Sequence, residues 1–149
     1  MADLVPRFSI YDLAVRQFAT FSDRSHNGEV DSAHLKVDFE TVPANRCVTV
    51  IMRFEYEVVN QTLIMLEFSV MFQIHAEDWR HLVVGEQKVV IPLELARHLA
   101  VITIGSGRGI LYEKLRSERQ FAKVIWPIVD LTKVIAQDIE FEMDSIISS

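Results

Sequence analysis

The sequence predicts an α+β fold: a four-stranded antiparallel sheet followed by two helices packed on one side of it. Three observations carry that reading. Apolar and polar residues alternate with period two through residues 35–39, 48–58 and 64–74. In the last third the apolar residues change to a spacing of three to four, from Leu95 to Ile146. No internal repeat or long linker divides the 149 residues, so residues 1–149 read as a single domain.

The elements follow in order. Residues 8–21 are rich in aromatic and β-branched side chains and lack Gly and Pro, which predicts one long strand with room for a bulge. Residues 22–32 form a polar loop around the turn signal Asn27-Gly28. Leu35, Val37 and Phe39 then alternate with charged residues, and Pro43-Ala44-Asn45 interrupts the pattern. It resumes as Val48, Val50, Met52, Phe54, Tyr56 and Val58, with the odd positions polar and expected in solvent. Asn60-Gln61-Thr62 reads as a hairpin turn.

The next strand carries an unbroken apolar even face from Ile64 to Ile74. Its odd face is only half polar, with Leu63, Met65 and Met71 beside Glu67, Ser69, Gln73 and His75. Residues 82–91 predict a fourth strand with a bend at Gly85-Glu86. Pro92 suits the first turn of a helix, where its missing N–H costs nothing. The apolar spacing after it runs to about Arg119, across Gly105, Gly107 and Gly109. Each glycine costs a helix roughly 1 kcal/mol relative to Ala, so either close packing or a break must answer them. The spacing favours packing, with Gly105, Ser106 and Gly109 on one small face. Trp126-Pro127-Ile128 is an extended connector. Asp130 is a good N-cap for a last helix bearing Leu131, Val134, Ile135, Ile139, Met143 and Ile146.

Composition excludes several classes. Half of the residues are hydrophobic and 24% are charged, so the chain has a core to bury. The net charge of −6 without a basic stripe argues against nucleic acid as a partner. One cysteine, Cys47, permits no intramolecular disulfide and no cysteine-rich metal module. No stretch is apolar long enough to insert in a membrane, and Met1-Ala2-Asp3-Leu4 opens no export signal, which predicts a cytoplasmic protein.

Chemistry-bearing patterns are sparse. The glycine cluster has the wrong spacing for a dinucleotide loop and lies inside an apolar helical pattern. The five histidines form no i, i+4 pair, and no carboxylate cluster completes a metal site. His75 and His81, flanking Glu77 and Asp78, are the one grouping suited to a small-ligand enzyme. No nucleophile motif or catalytic carboxylate pair appears, so no enzyme, metal or cofactor is expected. The apolar excess on a sheet face points instead to a core, an oligomer interface or a binding surface.

Several short stretches, in shared order, resemble the SecB family of bacterial protein-export chaperones and their SecB-like relatives. They are Phe8-Ser9-Ile10, residues 35–39 with 47–58, Leu66-Glu67 with Phe72-Gln73-Ile74, residues 92–97, Gly107-Arg108-Gly109-Ile110, and residues 125–131. The resemblance covers roughly residues 8–140. It implies that the long helix stops near Gly107 or Gly109, where a helix C-terminus favours glycine.

It also implies an ATP-independent, homo-oligomeric chaperone, a dimer or a dimer of dimers, that holds unfolded polypeptides for export or within a toxin–antitoxin system. The client-binding groove is expected between the last helix and the sheet, lined by Phe54, Tyr56, Trp126, Leu131, Val134 and Ile135. Met65, Glu67, Glu55 and Glu57 share one strand parity and predict a partner-docking face. Gln17 and Phe21 stand where the family's first strand carries acids, which argues against docking of the export motor. A structural or interaction protein using the same face for one partner is the alternative reading.

Overall fold

The computed structural model describes residues 6–21, 31–58, 61–118, 126–127 and 129–143. Four long strands come first, β1 (Phe8–Thr20), β2 (Asp31–Val42), β3 (Cys47–Val58) and β4 (Gln61–Ile74), and the last three carry the alternation that the sequence announces. They pair antiparallel in the order β1-β4-β3-β2, so β1 and β2 are the two edges. After them come helix α1 (Ala76–Leu82), strands β5 (Val83–Val84) and β6 (Lys88–Ile91), helix α2 (Leu93–Leu115), the one-turn helix α3 (Leu131–Val134) and strand β7 (Ile139–Glu142). Strands β5, β6 and β7 form a second, three-stranded sheet.

The α+β class and the four-stranded antiparallel sheet stand as predicted, but the sheet's membership differs. Pro43–Asn45 does not interrupt one strand. It is a 3₁₀ turn that closes a hairpin, with Val42 opposite Cys47 and the register unbroken to Asp31 and Val58. Segment 82–91 leaves the main sheet altogether. Gly85, at φ 66°, turns it back on itself as β5 and β6. Gln61 and Thr62 belong to β4 rather than to a turn, Asp31 and Ser32 of the predicted loop 22–32 belong to β2, and residues 22–30 lie outside the described residues.

Helix α2 passes through all three glycines and ends at Leu115, so it neither breaks nor stops at Gly107 or Gly109. The compensation is local. A Cβ on Gly107 would lie 2.3 Å from Phe68 Cζ and 2.6 Å from Trp126 Cη2, whereas one on Gly105 or Gly109 would meet nothing. One glycine lets the helix backbone press onto the sheet, and the other two face open space. The predicted packing face of Gly105, Ser106 and Gly109 is therefore corrected to Gly107.

The last helix is also corrected. Asp130 caps it as expected, accepting from the Thr132 amide at 3.0 Å, but it lasts one turn. Ile135, Ile139 and Met143 fit a helical spacing of four, yet Ile139, Phe141 and Met143 alternate equally well with Asp138, Glu140 and Glu142. Pairing with β6 resolves the ambiguity in favour of a strand.

The core lies between the even face of β3 and β4 and the helices. Val48, Val50, Met52, Phe54, Leu66, Phe68, Phe72 and Ile74 are fully buried there, against Leu95, Leu99 and Ala96 of α2. No helix among the described residues is long and apolar enough to cross a membrane.

Candidate functional site

Three surfaces arise from this framework. The first is the predicted groove. Phe54 and Tyr56 project from the core face of β3, and the Trp126 ring stacks on Phe54 with centroids 5.1 Å apart and planes 13° off parallel. Phe54, Tyr56, Trp126 and Ile135 are all buried, Leu131 is half-buried, and Val134 is 47% exposed. The aromatic residues thus form a packed floor rather than an open wall.

Space opens one layer further out. A cleft of about 440 Å³ runs between edge strand β2 and residues 134–140, with Val37, Phe39, Val134, Ile135 and Ile139 as its apolar lining and Asp38, Asp138 and Glu140 as its charged lining. The outer wall is held from α2. Arg97 Nε donates to the Ile135 carbonyl at 2.9 Å, and Asp138 accepts from the Leu93 amide at 2.8 Å. Glu140 is paired with Lys88 at 3.3 Å, whereas Asp38 makes no ion pair among the described residues. Val37 and Phe39 were legible as a strand face in the sequence. Their place beside Val134 depends on the return of the chain along β2, which no local pattern encodes.

The second surface is the odd face of the sheet. Register puts Glu55 opposite Met65 and Arg53 opposite Glu67. Arg53 reaches Glu55 at 2.7 Å and Glu67 at 3.7 Å, while His34 lies 3.7 Å from Glu57. Met65 is buried and the three glutamates are half-buried. The predicted docking residues do share one face, and the charge of two of them is met by Arg53. That arginine shares their parity, so its place was readable in the sequence.

The third surface was missed. Ile10, Leu13 and Val15 of edge strand β1 are 55%, 44% and 40% exposed, and Val101 and Tyr112 of α2 are 56% and 75% exposed. Helix and strand run side by side, since His98 packs on Phe8 and Lys114 sits over the Phe18 ring. Two register shifts in β1, between Ile10 and Asp12 and between Val15 and Gln17, switch the parity of its apolar residues. Period two therefore fails there, and the sequence shows no clean alternation.

The remaining reactive groups are quiet. Burial raises the Cys47 thiol pKa, against the opposing pull of Arg46, which disfavours the nucleophilic thiolate. His75 precedes α1 and His81 lies in its last turn, both exposed. The described residues contain no group of three His, Cys, Asp or Glu able to hold a metal. Asp78 is pulled below the ordinary carboxylate range, first by its hydrogen bonds from Arg7. Asp130 is lowered likewise by the Thr132 hydroxyl and amide.

No family model matches the sequence, and no curated protein matches it. Among solved structures, the chain is similar to a Mycobacterium tuberculosis SecB-like chaperone in complex with a ChAD peptide from an antitoxin. The two share 19% identity over 83% of this chain and 84% of that one, with a TM-score of 0.44.

Proposed function

We propose that the chain is an ATP-independent chaperone that holds extended apolar segments of unfolded polypeptides in the cleft beside β2. One observation carries the reading: the cleft's apolar lining lies along an edge strand that is paired on one side only among the described residues. The free edge offers backbone N–H and C=O groups to any extended chain, independent of its sequence. Val37, Phe39, Val134 and Ile139 accept its apolar side chains. Backbone pairing with loose side-chain demands is what a holder of many clients requires, and it needs no nucleotide. Holding then works by mass action, since binding the unfolded state lowers its free concentration. The clients of this reading are unfolded chains with such segments, an exported precursor or an antitoxin among them.

Asp38 lends the cleft a preference for clients with basic residues next to apolar ones. The odd face, with Glu55, Glu57, Glu67 and Met65, serves a basic partner separately. The exposed strip of Ile10, Leu13, Val15 and Tyr112 is covered by a second copy in a homo-oligomer, because a monomer leaving it open carries an aggregation liability. These assignments make the chain a soluble binding protein and give no residue a catalytic role.

The test is aggregation of an unrelated unfolded protein with stoichiometric chain and no nucleotide. The wild type is expected to suppress scattering. Phe39→Asp with Val134→Asp is expected to lose suppression while circular dichroism and oligomer size stay unchanged. Equal suppression by the folded double variant overturns the cleft as the client site. A stable 17 kDa monomer in light scattering overturns the oligomer.

A further inference from the structure

At the end of the sheet where β1 starts and β4 finishes, a cavity of about 320 Å³ opens, sharing no residue with the cleft beside β2. Its lining includes Arg46, Arg7, Gln73 and His75, with the half-buried Phe8 as apolar wall, and no acidic side chain lines it. The geometry points to a binding site for a carboxylate carried on a small apolar group, with Arg46 as its anchoring cation.

Arg46 is the one non-glycine residue at positive φ among the described residues, at φ 57° and ψ 38°. That conformation closes the β2–β3 turn and strains an ordinary residue, a strain that glycine avoids. The arginine side chain is nevertheless held in place, since Nε donates to the Ile74 carbonyl at 3.3 Å. Its terminal amino groups find no acceptor among the described residues, and it makes no ion pair. Arg7 differs, because Asp78 at 2.9 Å and Glu77 at 3.3 Å already compensate its charge.

The cavity therefore holds one uncompensated guanidinium, suited to the planar fork of a carboxylate. The half-buried Phe8 suits an aliphatic or aromatic group attached to it. The volume lies at the lower end of the range for small-molecule pockets, about 300–1,000 Å³. A free organic acid and the carboxyl terminus of a peptide share this chemistry.

The experiment titrates ¹⁵N-labelled full-length chain with N-acetyl-leucine and with a short leucine-terminated peptide, its carboxyl free or amidated. The Arg46 Nε–Hε resonance is the readout in the wild type, and the backbone amide resonances of the cavity residues Phe8, Gln73 and His75 are followed in both the wild type and the Arg46→Gly chain. A saturable shift is expected with a free carboxylate and none with the amide. Tighter binding of the acid or of the free peptide identifies the source, and either supports the site. Arg46→Gly is expected to weaken binding by about tenfold or more, because a charge-assisted hydrogen bond is lost. Its Tm is expected to hold or rise as the backbone strain is relieved, which separates the anchor from a structural role. Phe39→Asp, which damages the client cleft, is expected to leave this titration unchanged. An equal response to the amidated peptide or to inorganic phosphate, unchanged affinity in Arg46→Gly, or no saturable shift overturns the proposal.

Discussion

The two faces of β3 and β4 are built from the same strands and have opposite fates. On the even face, Phe68 and Phe54 are fully buried, and α2 presses so close that only a glycine fits over Phe68. On the odd face, Ile51 and Met71 lie half-buried among Arg53, Glu55 and Glu67, joined by ion pairs. The even face gains stability from packing, where one methylene matters. The odd face gains little from its ion pairs, because solvent screens them. A face that contributes little to stability is free to change its charges for a partner. The difference therefore separates residues that hold the fold from residues available for recognition.

The largest expected effect lies on the even face. Phe68→Ala is expected to destabilise by about 3–5 kcal/mol, the usual cost of deleting a buried phenylalanine. Urea denaturation measures it, and a loss below about 1 kcal/mol would mean that the helix does not rest on this ring.

Next comes the glycine row. Gly107→Ala is expected to cost about 1–3 kcal/mol by overpacking against Phe68 and Trp126. Gly105→Ala and Gly109→Ala are expected to stabilise by about 0.5–1 kcal/mol, since a helix gains Ala propensity where a Cβ meets nothing. Phe68→Leu should recover part of the Gly107→Ala loss in a double-mutant cycle. Equal effects at all three glycines would refute the contact.

On the odd face the effects on stability shrink. Glu67→Lys is expected to change stability by less than about 1 kcal/mol, as exposed ion pairs do, while abolishing salt-sensitive binding of a basic partner. Client holding should survive it. Loss of both functions together would end the separation of the two faces.

The smallest effect is the acid response of the Arg7–Asp78 pair. The folded pKa of Asp78 is lowered, so its contribution is present above the unfolded carboxylate range near 4 and is lost as pH falls through the lower folded value. Asp78→Asn should flatten the stability profile below about pH 4 and leave neutral-pH client holding intact. A profile identical to the wild type would show that the pair contributes nothing measurable. Burial of Cys47 predicts slow alkylation in the native state and fast alkylation in denaturant.

Local pattern by itself determined the long strands, the core parity of β2, β3 and β4, the start of α2 after Pro92 and the cap at Asp130. Each depends on a residue and its neighbours within a few positions, where period and propensity act. It also placed Glu55, Glu57, Glu67 and Met65 on one face, because parity alone fixes that. Tertiary structure decided the rest. Pro43–Asn45 became a hairpin turn because β2 and β3 pair, and residues 139–142 became a strand because β6 offered an edge to a segment that fits both periods. Gly107 was distinguished from Gly105 and Gly109 only by the rings of Phe68 and Trp126, which lie far away in sequence. The cleft beside β2 and the exposed strip of β1 are products of chain return and of two bulges. Long-range packing sets such features, and a one-dimensional pattern carries no record of them.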